Sequence, residues 1–144
     1  MLISTRGRYA LRFLIDLAEN QGDGYITTRE LSERQEVSQK YTERLMSLLS
    51  KNNFVATQHG KSGGYRLMYE PKNYKVSDVL AVMNEELAPV QCLTCSPNTC
   101  RRAENCRTLP MWKELGNLIN NFFDGITLAD LMKQGISSSA TVIK

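Results

Sequence analysis

Apolar residues recur at helical spacing early in the chain: Ala10, Phe13, Leu14 and Leu17 share one face, and Arg12, Asp16 and Glu19 fall off it. This predicts a first helix over residues 9–18 that ends near Gly22-Asp23-Gly24. A short extended pair, Tyr25-Ile26, leads into Thr27-Thr28-Arg29-Glu30. That is a capping box, with the Thr27 hydroxyl accepting from the Glu30 amide, the Glu30 carboxylate reaching back, and Ile26 stapling against Leu31. A second helix is predicted from Thr28 to about Gln35. Glu36-Val37-Ser38 breaks it, and Ser38 is a good N-cap for a third helix. On that helix Tyr41, Leu45 and Leu48 or Leu49 form the predicted buried stripe, leaving Gln39, Lys40, Glu43, Arg44 and Ser47 outward.

After Asn52-Asn53 the period changes. Residues 54–57 and 65–68 read as strands, and residues 58–64 between them are rich in turn glycine, which predicts a hairpin. A fourth helix fits residues 76–83, with Val79, Leu80 and Met83 apolar. Residues 87–107 have no period, contain Pro89 and Pro97 and hold every cysteine, so they read as a loop that something must organise. Thr108 is the predicted cap of a long helix whose apolar face is Trp112, Leu115, Leu118, Ile119, Phe122 and Phe123. Gly125 stops it, residues 127–131 add a final helical turn or two, and residues 135–144 read as a flexible tail. The predicted fold class is mainly α with a small β-hairpin: a winged helix-turn-helix over residues 1–84, a cysteine-rich cofactor loop over 85–107, and over 108–134 a long dimerisation helix with a short terminal one.

Composition changes this picture little. A 144-residue chain that is 42% hydrophobic and 23% charged, with four prolines and nine glycines, is an ordinary folding chain too short for a two-domain enzyme. No run reaches the roughly 20 apolar residues that span a bilayer, so no membrane partner is expected and the location is read as cytoplasmic. Charge is more telling by its distribution. Residues 1–75 carry 12 Lys/Arg against 8 Asp/Glu, whereas residues 76–144 carry 6 against 7, so the basic half is the one suited to phosphates.

A polar helix face beside a hairpin is the arrangement that reads duplex DNA. On the third helix, Gln39, Lys40, Glu43 and Arg44 have the lengths and donor or acceptor types that reach base edges or phosphates; a solvated face is the plainer reading of the helix alone, and the attached wing tips the balance. In the hairpin, Gly60, Gly63 and Gly64 permit a tight loop that brings amides and Lys61 close to a phosphate or the minor groove, with Ser62 and His59 beside them. The apolar face of the long helix exceeds what a small winged domain needs. It fits a twin helix in a homodimer, which a palindromic operator would match, as well as this chain's own first helix.

Cys92, Cys95, Cys100 and Cys106 are spaced Cys-x2-Cys-x4-Cys-x5-Cys. Clustered thiols in a reducing cytosol point to an iron–sulfur cluster, zinc or another metal, or a thiol switch, and spacing alone leaves these open. An iron–sulfur electron carrier would use the same thiols, but it leaves the helix-turn-helix and wing without a role, and no nucleophile–base pair or nucleotide loop is present; no enzymatic activity is expected.

Four segments together carry a family resemblance. They are Ser4-Thr5-Arg6-Gly7-Arg8-Tyr9-Ala10; Leu31-Ser32-Glu33-Arg34-Gln35 with Ser38 and Tyr41; Gly60-Lys61-Ser62-Gly63-Gly64-Tyr65; and Cys100-x5-Cys106 followed by Thr108 and Trp112. Over nearly its whole length the chain resembles the IscR/NsrR/CymR-type winged-helix transcription regulators. The resemblance implies a dimer on double-stranded DNA, with Ser38, Lys40, Tyr41, Glu43 and Arg44 on the reading helix and residues 59–64 on the wing; Thr28, at the start of the second helix, is a further candidate DNA contact. It also implies a repressor that senses iron–sulfur status, redox or nitrosative stress through a 2Fe-2S or 4Fe-4S cluster on Cys100, Cys106 and either Cys92 or Cys95. A cofactor-free or thiol-switched regulator of cysteine metabolism is the alternative. The fourth ligand departs from the pattern. Leu109 stands where IscR-like members carry a histidine, and Arg8 where NsrR-like members carry an acidic residue, which leaves the extra cysteine to complete the set.

Overall fold

A computed structural model describes residues 1–133; the expected tail at 135–144, and residue 134, lie outside the described residues. The chain is mainly helical, with α1 Thr5–Asn20, α2 Thr28–Gln35, α3 Gln39–Lys51, β1 Val55–Gln58, β2 Gly64–Leu67, α4 Val76–Val82, α5 Leu109–Asp124 and α6 Leu128–Met132. Short 3-10 turns occupy Pro71–Asn73, Gln91–Leu93 and Ala103–Asn105, the last two within the cysteine loop. The strands form one antiparallel hairpin with Val55 opposite Leu67 and Gln58 opposite Gly64. β1 starts one residue later than the pattern predicts because the Phe54 amide is spent on the Leu49 carbonyl, closing α3 at 3.0 Å.

The apolar face of α1 makes the centre of the core: Ala10, Phe13, Leu14 and Leu17 are fully buried, with Leu31, Leu45, Met46, Leu49, Val79, Met83 and Leu128 around them. On α3 the predicted stripe holds at Leu45 and Leu49 but is centred differently. Thr42 and Met46 are buried in place of Tyr41 and Leu48, which lie at the edges, and Ser47 is half-buried rather than fully outward. Positions 42, 45, 46 and 49 satisfy the same period, and Thr42 can go inside because its hydroxyl donates to the Ser38 carbonyl at 3.0 Å.

The C-terminal part folds back on this body. The Val76 amide donates to Ile126 and the Leu128 amide to Tyr74, and the Thr127–Asp130 pair forms a second capping box that seats α6 with Leu128 in the core. Thr108, predicted to cap α5, does not; its backbone is already helical and its side chain makes no capping bond. The α5 face is covered on one side only. Phe123 packs against Val76, Leu80 and Ile126, while Leu115, Leu118 and Phe122 remain 38%, 43% and 49% exposed.

Two carboxylates organise the packing. Asp16, which the helical pattern sets off the apolar face, is only 4% exposed. Arg34 donates to both of its oxygens, the shortest contact being 2.6 Å, and Gln35 Nε2 donates at 2.7 Å. Gln35 in turn accepts from Arg12 through its carbonyl and its side chain. The other carboxylate is Glu85, which accepts from the Ser4 amide at 3.0 Å, the Ser4 hydroxyl, and the Gly7 amide at 3.1 Å. It thus caps α1 from 81 residues away, which explains why the helix begins at Thr5 although its apolar period begins later. Gly7 leaves room for this contact: a Cβ would come within 2.9 Å of the Glu85 carboxylate and 3.0 Å of Leu80, so a larger residue would have to displace those side chains. Burial pushes the Glu85 carboxyl up, but the Ser4 hydroxyl, the two amides and the charge of Arg6 outweigh it and hold it below its ordinary value.

Replacing Arg34 by Met leaves the Asp16 charge buried with Gln35 alone, and urea unfolding should show a loss of about 3 kcal/mol. Glu85→Gln should cost about 1 kcal/mol at pH 7. Because the folded carboxyl titrates lower than the unfolded one, its contribution is complete above pH 4.5 and disappears as pH falls through the folded value. Thermal melts of both proteins should therefore converge in acid; a gap that stays constant with pH assigns Glu85 no ionic role.

Candidate nucleic-acid interface and cysteine loop

The capping box predicted at Thr27 forms in both directions, with the Thr27 amide donating to Glu30 at 2.8 Å and the Glu30 amide to the Thr27 hydroxyl at 3.1 Å. α2 ends on Glu36 in the left-handed conformation at φ 55°, and the Ser38 hydroxyl accepts from the Tyr41 amide at 3.3 Å to start α3. This short turn places α3 across the body with Gln39, Lys40, Glu43 and Arg44 all exposed. Gln39 Nε2 donates to Glu43 Oε1 at 3.2 Å, so an amide and a carboxylate are presented as a ready donor–acceptor pair. Ser38 is exposed but its hydroxyl is committed to the cap, and Tyr41 is half-buried, edge-on to Tyr9 with ring centroids 6.0 Å apart.

The wing loop exposes His59, Gly60, Lys61 and Ser62. Gly60 adopts φ 101° and accepts from the Gly63 amide at 3.1 Å. Gly63 is buried, and a Cβ there would meet the Gln58 carbonyl at 2.2 Å, so this position admits only glycine. Gly64 is equally constrained, since Ile26 and Tyr65 exchange both backbone bonds at 2.8 and 2.7 Å and tie the base of the wing to the strand before α2. As a result Thr28, Gln39, His59, Gly60 and Gly63 line one open cleft of about 350 Å³. Arg29 lines it too. Arg29 lies outside the polar face of α3 and the wing that the residue pattern singles out, but the capping box at Thr27 sets it in the exposed first turn of α2.

The four cysteines are free and distributed along the loop, Cys95 and Cys100 exposed, Cys92 and Cys106 half-buried. Among the described residues no three His, Cys, Asp or Glu side chains converge. Cys106 stands at the start of α5, where the Thr108 hydroxyl lies 3.4 Å from its sulfur. That contact, the Thr108 and Leu109 amides and the charge of Arg102 outweigh burial and hold the thiol below its ordinary value, favouring the thiolate that ligates soft metals. Between Cys95 and Cys100 the Asn98 side-chain nitrogen is buried without any hydrogen-bond acceptor. Soft thiols and an orphaned N–H are the donor types an iron–sulfur group would use, but the four thiols are spread along the loop rather than gathered about one point.

No helix among the described residues is long and apolar enough to cross a membrane. Residues 3–134 match the Rrf2 family, described as an iron-dependent transcriptional regulator. The chain is 34% identical over 132 residues to the HTH-type transcriptional regulator IscR of Aliivibrio salmonicida, covering 92% of this chain and 79% of that one. Among solved structures it is similar to CymR, the global cysteine regulator of B. subtilis, at 29% identity with a TM-score of 0.75, covering 92% of this chain and 96% of that one. It is also similar to T. potens IscR, at 32% identity with a TM-score of 0.70, covering 92% and 87%. These relatives are regulators rather than enzymes, and the two solved structures share the winged-helix fold. The chain belongs to the Rrf2 family and is a winged-helix, DNA-binding transcription regulator.

Proposed function

We propose that this protein is a cytoplasmic repressor that binds a palindromic operator as a homodimer and responds to iron–sulfur supply or to redox or nitrosative stress through its cysteine loop. The observation that carries the reading is the exposed row Gln39, Lys40, Glu43 and Arg44 on α3 with the glycine wing set beside it. α3 enters the major groove. Lys40 and Arg44 donate to guanine edges or phosphates, Gln39 addresses adenine and Glu43 the cytosine amino group. Ser38, Tyr41 and Thr28 support the entry, while the residues from His59 to Gly63 reach the adjoining backbone or minor groove.

Leu115, Leu118 and Phe122 give α5 an exposed apolar strip that a twin helix would bury, bringing two α3 helices to successive half-sites. Cys100 and Cys106, with Cys92 and Cys95 as the remaining thiolates, would hold the cluster. When bound, such a cluster supplies a centre whose occupancy and oxidation state follow iron, sulfide and oxidant levels. The loop is tied to both working parts of the molecule. Its first residue, Glu85, holds the N-terminus of α1, and Cys106 adjoins the start of α5. Rearranging it therefore acts on the helix beneath the reading head and on the dimer helix together, and a coupling of about 1–2 kcal/mol changes operator occupancy roughly tenfold. Similarity to the cysteine regulator CymR favours a second reading, in which the loop works without a cluster as a thiol switch or through a partner protein.

Protein prepared without oxygen should be brown, contain iron, and bind its operator with an affinity about tenfold different from the iron-free form. Equal affinities on every duplex tried would remove the sensor, and a colourless, iron-free preparation would favour the thiol reading. Phe122→Asp should convert the dimer to monomer in sedimentation while leaving the fold intact, and should weaken binding to a palindrome far more than to a half-site.

A further inference from the structure

A second cleft, of about 310 Å³, lies where the first turn of α1 meets the outer side of α3. Arg6, Arg44 and Lys51 rim it, Ser47 contributes a hydroxyl, and Leu45 and Leu48 form its floor. The three cations are exposed, and none belongs to the ion pairs among the described residues, which join Arg29 to Glu33, Arg34 to Asp16 and Lys72 to Glu70. The carboxylate that feels Arg6 is Glu85, and it is already engaged by Ser4 and Gly7. Three positive side chains from two separate helices converge here without an acidic partner in the cleft, over a partly apolar floor that lets their aliphatic stems pack while the charged ends stay free.

The cleft is continuous with the reading face. At 100° per residue, Lys40, Arg44, Ser47 and Lys51 fall within an arc of about 60°, directly opposite buried Thr42, Leu45, Met46 and Leu49. Gln39 opens into the wing cleft at one end of α3, and Lys51 rims the second cleft about 18 Å further along the helix. A helix lying in a groove roughly 12 Å wide has a phosphodiester strand on each side, so charge is needed beyond both ends of its base-reading segment. We infer that Arg6, Arg44 and Lys51 form a phosphate-binding subsite that holds the DNA strand on the side of α3 away from the wing, extending the interface to the N-terminus of α1. The ligand is a backbone phosphodiester and carries no base information.

This inference rests on the DNA-binding reading, and the test separates the two. Operator and random-sequence duplexes are titrated over a salt series with the full chain, using an operator selected from a random library by the wild-type protein, and with Arg6→Gln, Lys51→Gln and the double variant. Each single substitution should flatten the slope of log affinity against log salt by about 0.9, and the double by about 1.8. Affinity should fall by the same factor on both duplexes, leaving the specificity ratio unchanged. Arg6 also acts on Glu85, so Lys51→Gln, judged at unchanged melting temperature, decides the matter if Arg6→Gln lowers stability. Wild-type slopes in folded Lys51→Gln and Arg6→Gln overturn the subsite, as does a changed specificity ratio with an unchanged slope. Saturable binding of inorganic phosphate that both substitutions abolish, with the slopes still wild-type, would overturn it by making the cleft a free-anion site. A wild-type chain that binds no duplex removes the regulator reading itself.

Discussion

A carboxylate removed from water must be answered by charge and hydrogen bonds, and Asp16 imposes that requirement on the whole N-terminal half. Its answer comes from consecutive residues at the end of α2, Arg34 with its planar fork and Gln35 with its amide, while Arg12 closes the network from α1. The last turn of α2 is thereby held against α1 in one orientation. Glu36 and Ser38 follow at once, reversing the chain and starting α3. With so short a connection, the direction in which α3 presents Gln39, Lys40, Glu43 and Arg44 is inherited from that ion pair.

The wing is fixed by backbone bonds rather than by charge. Ile26 and Tyr65 exchange two of them, Gln21 accepts from the Leu67 amide at 2.7 Å, and the Tyr74 hydroxyl donates to Phe54 while accepting from Met68 and Tyr69. The base of the hairpin is thus part of the body, and only the glycine tip projects. In the proposed DNA-binding role, α3 and the wing tip would meet a duplex as one preorganised surface, which lowers the ordering cost of binding.

The C-terminal half has a different character. Its long helix leaves aromatic and aliphatic side chains in water, and its cysteine loop is held largely by local turns, with an unanswered Asn98 amide inside. Apolar surface and unpaired donors of this kind are the places where added partners lower the free energy most. Their position matters, because Glu85 joins this region to the start of α1, and α1 is the core against which the reading head is built.

Local patterns were enough to determine the order of the elements, the α2 capping box, the turn into α3, the glycine wing and the clustering of thiols, because each depends on residues within a few positions of one another. The exposed polar face of α3 was legible for the same reason: its residues repeat at helical spacing opposite an apolar stripe. What tertiary structure alone decided depends on long-range partners. Asp16 looks like a surface residue until Arg34 is brought to it, Glu85 looks like loop charge until Ser4 and Gly7 present their amides, and Thr108 looks like a cap until its backbone proves already helical. Arg6 and Lys51 are separated by 45 positions in the chain and face a common cleft only because α1 and α3 pack together, a proximity that no periodicity encodes.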